Sequence, residues 1–433
     1  MEYNLLNKSS PPDTDVKSRI NAYADQCVKC GMCSTLCPTY RIDPNENESP
    51  RGRISLMQSL ANGQVSASAK LQQHLDHCLG CRTCENTCPS GVSYSALLDL
   101  SRAQLKQNTS NNLSYKVHYW LYKTMSFKRP IIRHLAKLLR FYQRSGVQKT
   151  LRRTIILKGL GLARLDGLLP NIAAQPHWQS FYPTSNKHRG NVAIFTGCVS
   201  DFFDKQTINH AISLLNKLGY HVYLPTDQVC CGALTLHNGH PKMAKQCAQQ
   251  NLTSFKTLDV QAIIYMATGC GATLQEYEQQ FTTNDQQNSN VAEFTHKVQE
   301  ICDFLLTEAA ISSYTFKALD KNISLHTPCT LRNVIKKPQS VEQLLQVIPK
   351  LKITKQNTDH ICCGASGTHI LLQAQLADQL GDNMIKELTD PAPDLLVTTN
   401  IGCALQLAAR TRTQGLNLSV IHPVTIIDKQ LQI

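Results

Sequence analysis

The sequence predicts a mixed chain: a helical amino-terminal domain, followed by two copies of an α/β domain. Two runs of four cysteines with identical spacing lie in the first hundred residues. Four further cysteines between positions 198 and 270 recur 131 to 133 residues later, and a period of this size indicates a duplicated domain. Strand and helix patterns alternate in each copy, as in α/β folds. We expect boundaries at 1–100 for the helical domain, 101–190 for a basic helical linker, and 191–310 and 311–433 for the two copies.

The composition favours a folded protein with reduced cysteines. Hydrophobic residues make up 42% of the chain and charged residues 17%. The 18 cysteines, about 4% of the 433 residues, fall below the roughly 8–10% of a disulfide scaffold. The amino terminus lacks the pattern of a secretory signal, and no apolar run approaches the roughly 18 residues of a spanning helix. We therefore expect a cytoplasmic protein whose grouped cysteines are metal ligands or redox groups.

The cysteines of the first domain follow the pattern C-x2-C-x2-C-x3-C-P twice. Two-residue gaps let three sulfurs from one turn face one iron–sulfur cluster, while the fourth cysteine, on a departing helix, reaches the other cluster. This crossed assignment gives one [4Fe–4S] cluster to Cys27, Cys30, Cys33 and Cys88, and a second to Cys78, Cys81, Cys84 and Cys37. Structural zinc, the alternative, usually takes two separated C-x2-C pairs and fits this spacing poorly. We expect a ferredoxin-like domain with two clusters.

The residues between the two boxes predict helices. Ser49-Pro50 is typical of an N-cap followed by a first helical residue, and the apolar residues of 54–61 share one helical face. A second helix over 70–77 leads into the second box. In the first of these helices, Arg51 and Arg53 either offset the negative charge of the cluster thiolates or are solvated surface residues.

The linker carries the positive charge of the chain. The whole protein has a net charge of +13, whereas residues 101–190 hold 17 Lys and Arg and the single acidic residue Asp166. Aromatic residues lie among these bases, as in helices that bind anionic membrane surfaces. Docking on an acidic partner subunit, or a solvated linker, would show the same features. For a membrane contact we expect contributions from Lys128, Arg129 and Arg133; no pattern supports nucleic-acid binding.

Each copy of the repeat has the strands of a small parallel sheet. Buried strands are predicted at 191–196, 220–224 and 262–267, and again at 323–326, 351–354 and 395–398. Cysteines follow these strands, at the edge where open α/β sheets place their sites.

The repeated cysteines are candidates for a further cluster or redox site in each copy. They are Cys198, Cys230, Cys231 and Cys270 in the first copy, and Cys329, Cys362, Cys363 and Cys403 in the second. Buried structural thiols are the alternative, which we assign to the unrepeated Cys247 and Cys302. His237 and His369 each follow a cysteine pair by six residues; a role in orienting the loop is favoured over a ligand, a proton relay or a quinone contact.

These motifs resemble the iron–sulfur subunits of glycolate oxidase (glycolate dehydrogenase). The resemblance rests on the two boxes, on Ser49-Pro50-Arg51-Gly52-Arg53-Ile54 between them, on Cys88-Pro89-Ser90-Gly91-Val92, and on the two Cys-Cys-Gly (CCG) copies. It implies a hetero-oligomer with FAD-containing dehydrogenase subunits that oxidises glycolate, or D-lactate, to the 2-oxo acid. Electrons would pass through this chain towards a quinone, at the inner face of the cytoplasmic membrane. The chain has no G-x-G-x-x-G fingerprint, so FAD is expected in the partner and no catalytic residue here.

Two alternatives remain open. The same superfamily includes subunits of lactate-utilisation enzymes and of anaerobic glycerol-3-phosphate dehydrogenase. A non-catalytic docking module, held together by structural clusters, is the second alternative. In the related heterodisulfide reductase the CCG box ends in C-x-x-C, whereas Cys270 is followed here by Gly-Ala-Thr and Cys403 by Ala-Leu-Gln.

Overall fold

The computed structural model describes residues 15–108, 113–174, 178–281, 288–355 and 361–432. Within the first of these ranges the chain is helical and has no strand. Its helices are α1 (Val16–Ala24), α2 (Pro38–Ile42), α3 (Pro50–Ala61), α4 (Ala69–Asp76), α5 (Thr83–Asn86) and α6 (Tyr94–Asn108), with a 3-10 turn at Glu46–Glu48. Ser49 caps α3 as predicted, because its Oγ accepts a hydrogen bond from the Gly52 amide at 2.9 Å and Pro50 follows it. The helices pack around Ile20, Met57, Leu75 and Leu97.

The described part of the linker is mainly helical up to residue 168. Its helices are α7 (Leu113–Phe127), α8 (Arg129–Arg144), α9 (Val147–Arg153), α10 (Ile156–Gly159) and α11 (Ala163–Leu168). The Tyr122 hydroxyl of α7 donates to Asn238 Oδ1 at 3.1 Å, and Arg164 of α11 pairs with Asp378 at 2.9 Å, so the linker contacts both copies. Among the described residues, no helix has both the length and the apolar character needed to cross a membrane.

The first copy is a mainly parallel sheet with flanking helices. Its elements are β1 (Phe181–Tyr182), β2 (Gly190–Phe195), α12 (Val199–Phe203), α13 (Lys205–Lys217), β3 (Tyr220–Tyr223), α14 (Ala233–Leu236), α15 (Pro241–Lys256), β4 (Ala262–Tyr265), α16 (Thr268–Gln275), α17 (Asn288–Lys297), β5 (Val298–Glu300) and α18 (Ile301–Thr307). The strand order is β1-β3-β2-β4-β5. Only the edge strand β1 is antiparallel. This strand lies in the segment that was predicted as a helical linker. It was not predicted, because two residues are too few to give a strand pattern.

The second copy repeats this arrangement. Its elements are β6 (Thr315–Phe316), β7 (Lys321–Leu325), α19 (Ser340–Leu345), β8 (Leu351–Lys355), α20 (His369–Leu372), α21 (Ala374–Leu388), β9 (Leu395–Val397), α22 (Ile401–Thr413), β10 (Ser419–Ile421), α23 (Pro423–Gln430) and β11 (Leu431–Gln432). The parallel sheet has the order β10-β9-β7-β8, and β6 pairs separately with β11. A π-helical turn, Leu331–Ile335, follows β7. The six predicted strands are present, with ends shifted by one or two residues.

The two copies share one hydrophobic core. Ile194 and Leu215 of the first copy belong to the same buried cluster as Ile323 and Leu344 of the second. The loops after β4 and β9 are also joined, because the Thr268 amide donates to the Thr399 carbonyl at 3.1 Å. The cysteine-bearing helices α16 and α22 therefore start side by side.

Candidate metal centres

Three cysteines of the first box line one cleft together with Cys88. Its lining includes Cys27, Cys30, Cys33 and Cys88, with Cys84 also at its wall. The loop is exposed: Cys30 is open to solvent, and Val28 and Met32 are 69% and 56% exposed. The two boxes bend at corresponding positions, because Lys29 and Gly31 in one, and Gly80 and Arg82 in the other, adopt positive φ. These reversals turn the cysteines of each box towards one point.

The second box gathers around Cys37 of the first. Burial, with contributions from the nearby thiols of Cys329 and Cys37, raises the pKa of Cys81 to about 12. Burial also raises the pKa of Cys84, with contributions from Cys81, Cys78 and Cys37. Thiols packed in this way are protonated unless a cation compensates their charge, so this donor set fits an iron–sulfur cluster. The ligand assignment itself remains a prediction.

A buried charge network lies beside Cys37. The Arg53 guanidinium is 1% exposed and pairs with the Glu48 carboxylate, while its Nη1 lies 3.0 Å from Thr39 Oγ1 and 4.0 Å from Cys37 Sγ. Burial would raise the pKa of Glu48, but hydrogen bonds from His77 and His74 and the charge of Arg53 lower it to about 2.

The two arginines left open by the sequence therefore differ. Arg53 is buried beside Cys37, the cysteine of the first box that is assigned to the second cluster. Arg51 is more than a third exposed, and it pairs with Glu46 at 2.6 Å beside the first box.

The four cysteines of the first copy come together at the carboxyl edge of its sheet. Cys198 Sγ lies 3.5 Å from Cys230 Sγ, and Cys231 contacts both Cys230 and Cys270. The contact with Cys230, together with burial, raises the pKa of Cys198. Cys247, assigned to the core, is fully buried in α15.

The second copy also gathers its four cysteines, and it adds a histidine. Cys363 Sγ lies 2.7 Å from Cys403 Sγ, while Cys329 and Cys362 contact each other. His326, which directly follows β7, has a ring nitrogen within 4.8 Å of the Cys363 and Cys403 sulfurs. Burial lowers the pKa of His326 to about 3, so its ring is neutral near pH 7. The sequence predicted residue 326 only as the end of a strand, although its position three residues before Cys329 could have indicated a ligand.

The second box packs directly against the site of the second copy. Cys81 contacts the small apolar cluster that contains Cys362 and Leu79. Asn333, in the π-helical turn, donates to the Cys81 carbonyl at 2.7 Å, and Ser366 Oγ donates to the Leu79 carbonyl at 2.6 Å. This contact between domains had no signal in the sequence, because the two segments are about 250 residues apart.

The repeated histidines lie outside the groups of cysteines. His237 Nδ1 lies 3.1 Å from an Asp99 carboxylate oxygen, at the contact between the first copy and the helical domain. His369 is buried, and its Nδ1 lies 3.3 Å from the Gly364 carbonyl. For both histidines, a role in orienting the loop after the cysteine pair stays the favoured prediction.

Two of the three bases assigned to a membrane contact are engaged within the protein. Arg129 donates to Thr196 Oγ1 and to the Gly197 carbonyl, at 3.3 and 3.2 Å, and Arg133 lies 3.5 Å from Asp201. These two arginines hold α8 on the first copy, and a membrane role for them stays a prediction. The sequence could not show whether these bases face a membrane or the first copy, because both faces of α8 carry bases. Lys128 is exposed.

Comparison with known proteins gives matches along most of the chain. A model of the 4Fe-4S dicluster domain matches residues 23–92, and a cysteine-rich domain model matches 192–275 and 323–408. Residues 128–169 match the linker region of the glycolate oxidase iron–sulfur subunit. A probable glycolate oxidase iron–sulfur subunit of Bacillus subtilis is 32% identical over 406 residues, 90% of each chain. The glycolate oxidase iron–sulfur subunit of Escherichia coli is 30% identical over 94% of each chain.

One of the more distant relatives covers about half of the chain. Lactate utilization protein A of Bacillus velezensis is 22% identical over 239 residues, which is 55% of this chain and 99% of that protein. The dicluster and cysteine-rich domains support bound iron–sulfur clusters, and the relatives' names imply a complex with other subunits. The chain thus belongs to the family of glycolate oxidase iron–sulfur subunits.

Proposed function

We propose that this chain is the electron-transfer subunit of a glycolate dehydrogenase complex. A partner subunit would hold FAD and oxidise glycolate, or D-lactate, to the 2-oxo acid, and the electrons would leave towards a quinone. The observation that carries the proposal is the succession of thiol groups: a first box with the exposed Cys30, a half-buried second box, and the second-copy cysteines in contact with it. The names of the relatives support the substrate class.

The residues that would hold the clusters are those of the crossed assignment. Cys27, Cys30, Cys33 and Cys88 would hold one [4Fe–4S] cluster, and Cys78, Cys81, Cys84 and Cys37 the other. When bound, such clusters exchange single electrons. The repeated cysteines of the two copies are proposed as further cluster or redox sites, with the second copy adjoining the second box.

The chain's own residues give the two boxes different tasks. Val28 and Met32 surround the exposed Cys30 with apolar surface, which suits transient contact with a redox partner. Arg82, by contrast, joins the second box to Glu276 of the first copy at 2.6 Å, and Asn333 joins it to the second. We therefore assign electron exchange with the flavin subunit to the first box, and transfer within the protein to the second.

The linker is proposed as the membrane contact. Large apolar side chains remain exposed along α7 and α8, at Val117, Trp120, Leu121, Ile131, Leu135, Leu138 and Phe141. Exposed bases lie among them at Lys116, Lys123, Lys128 and Lys137. A surface that is both apolar and basic suits the interface of an anionic membrane. We propose that the protein lies peripherally on the inner face of the cytoplasmic membrane.

Substrate-dependent reduction tests the proposal. The protein is purified anaerobically, its iron and sulfide are measured, and it is mixed with its flavin partner and either glycolate, D-lactate or glycerol 3-phosphate. Reduction of the clusters with glycolate supports the proposal. Reduction only with lactate favours the function named for the lactate utilization relatives, and reduction only with glycerol 3-phosphate favours that dehydrogenase. Clusters that never cycle would indicate a docking module.

A further inference from the structure

His326 occupies a defined position at the carboxyl edge of the second sheet. It directly follows β7, and its amide donates to the Val397 carbonyl of β9 at 2.9 Å. Its Nδ1 lies 2.9 Å from Thr398 Oγ1, and the residue is only 3% exposed. The ring is therefore held by backbone and side chain together. In other proteins a metal-bound imidazole is fixed in this way, because its second ring nitrogen donates a hydrogen bond to a neighbouring oxygen.

The donor atoms around His326 converge. A ring nitrogen of His326 and the sulfurs of Cys363 and Cys403 lie within 4.8 Å of one another, and all three residues are buried. Imidazole nitrogen and thiolate sulfur both bind iron in proteins, and the two occur together in Rieske centres. The four cysteines of the second copy could form a metal site without a histidine. The presence of a buried imidazole among them therefore needs a reason other than packing.

The first copy provides the comparison. Phe195 lies three residues before Cys198, as His326 lies three before Cys329, and it too is at the end of its strand. Phe195 is 2% exposed and belongs to the apolar cluster that contains Cys230 and Cys231. An aromatic ring without a donor thus fills this position in one copy, so packing does not by itself require a histidine.

We propose that His326 is a ligand of an iron-containing centre in the second copy, whose donor set is then thiolate and imidazole where the first copy offers thiolates alone. The inference rests on the proposed cluster role of the second-copy cysteines. A neutral imidazole brings less negative charge to iron than a thiolate does, and histidine ligation raises the potential of Rieske centres. The second-copy centre is therefore expected to be a better electron acceptor than an all-thiolate centre in the same place.

Nitrogen coupling detected by pulsed electron paramagnetic resonance tests this ligand directly. The full chain is prepared anaerobically with natural histidine or with 15N-histidine, loaded with iron and sulfide, and poised at a series of potentials. We expect one cluster signal to carry a 14N coupling that changes to 15N with the label. In H326F that coupling is lost, and the second-copy centre either disappears or shifts to a lower potential.

Two variants serve as controls. H369F removes another buried histidine of the same copy, and F195L changes the corresponding position of the first; both are expected to keep the coupling. Phenylalanine at 326 reproduces what the first copy has, so H326F should fold, which circular dichroism checks.

Iron-loaded wild-type protein without histidine coupling at any potential would overturn the inference, even if H326F does not fold. A coupling that survives in folded H326F would do the same. Neither result would affect the proposed electron-transfer function, which fails only if the clusters do not cycle with the flavin partner.

Discussion

Removal of the Arg53 charge is expected to affect both the stability of the helical domain and the potential of the second box. R53M leaves the Glu48 carboxylate, whose side chain is 4% exposed, with only His74 and His77 as partners. It also removes the cation 4.0 Å from Cys37 Sγ. Loss of one partner of a buried ion pair costs about 3–5 kcal/mol, because the other charge remains buried.

The potential should change by a measurable amount. At 4 Å an elementary charge acts on another with about 4 kcal/mol at an effective dielectric constant of about 20. Because the added electron is spread over a whole cluster, we take half of this, roughly 2 kcal/mol or 90 mV for a one-electron couple. The sign is fixed: loss of a cation disfavours reduction, so the potential becomes more negative.

Anaerobic redox titration and denaturant unfolding measure the two effects in the same samples. R51M is the matched control, since it removes an equal charge two residues away at an exposed position, where solvent screens it. R53M/E48Q removes both charges and should recover much of the lost stability. If R53M keeps its clusters with unchanged potentials, Arg53 has only a structural role and the electrostatic reasoning is refuted.

Three other predictions concern the first box, the Glu48 network and the linker. C30S should lower the iron content of the protein and stop electron transfer. The control C302A changes a cysteine of the buried core and should keep the iron content and electron transfer. Equal iron in the two variants, measured by elemental analysis, would reject Cys30 as a ligand. Since the pKa of Glu48 is lowered to about 2 from an ordinary value near 4.5, its contribution of about 3 kcal/mol is complete above about pH 4.5 and is lost as the pH falls towards 2. Acid unfolding of E48Q should therefore depend less on pH over this window, and parallel curves for the two proteins would contradict the assignment. Exchange of the exposed linker lysines Lys116, Lys123 and Lys137 for glutamine should reduce sedimentation of the protein with phosphatidylglycerol vesicles, and added salt should have the same effect. The control exchanges three exposed lysines outside the linker, Lys242, Lys256 and Lys386, and should leave sedimentation unchanged. Binding that ignores both salt and the linker set would remove the membrane proposal and leave partner docking.

Features encoded locally could be predicted from the sequence. The boxes turn within a few residues, so their spacing alone indicates how three sulfurs converge. The strands carry continuous apolar runs such as 262–265, and Ser49-Pro50 marks a helix start whatever surrounds it. The duplication was visible because cysteines kept their spacing in both copies.

Features made by tertiary contact could not be predicted. The pairing of Arg53 with Glu48 depends on a 3-10 turn that brings the carboxylate back onto α3. The side of α8 that faces the protein depends on Asp201 and Thr196, which lie far along the chain. A basic amphipathic helix has the same sequence pattern whether its arginines meet a membrane or a neighbouring domain.

The duplicated loops have diverged enough that the two cysteine sites cannot be assumed to have the same chemistry. In the first copy, Gly197 precedes Cys198 with φ of +68°, and an added Cβ would lie 3.3 Å from Cys270 Sγ. The second copy has Pro328 at that position, whose ring fixes a negative φ, so the backbone approaches its cysteine along a different path. An α-helix follows Cys198, whereas a π-helical turn follows Cys329 and places Asn333 against the second box. Together with the exchange of Phe195 for His326, these differences confine the Asn333 contact with the Cys81 carbonyl, and the imidazole beside the cysteines, to the second copy.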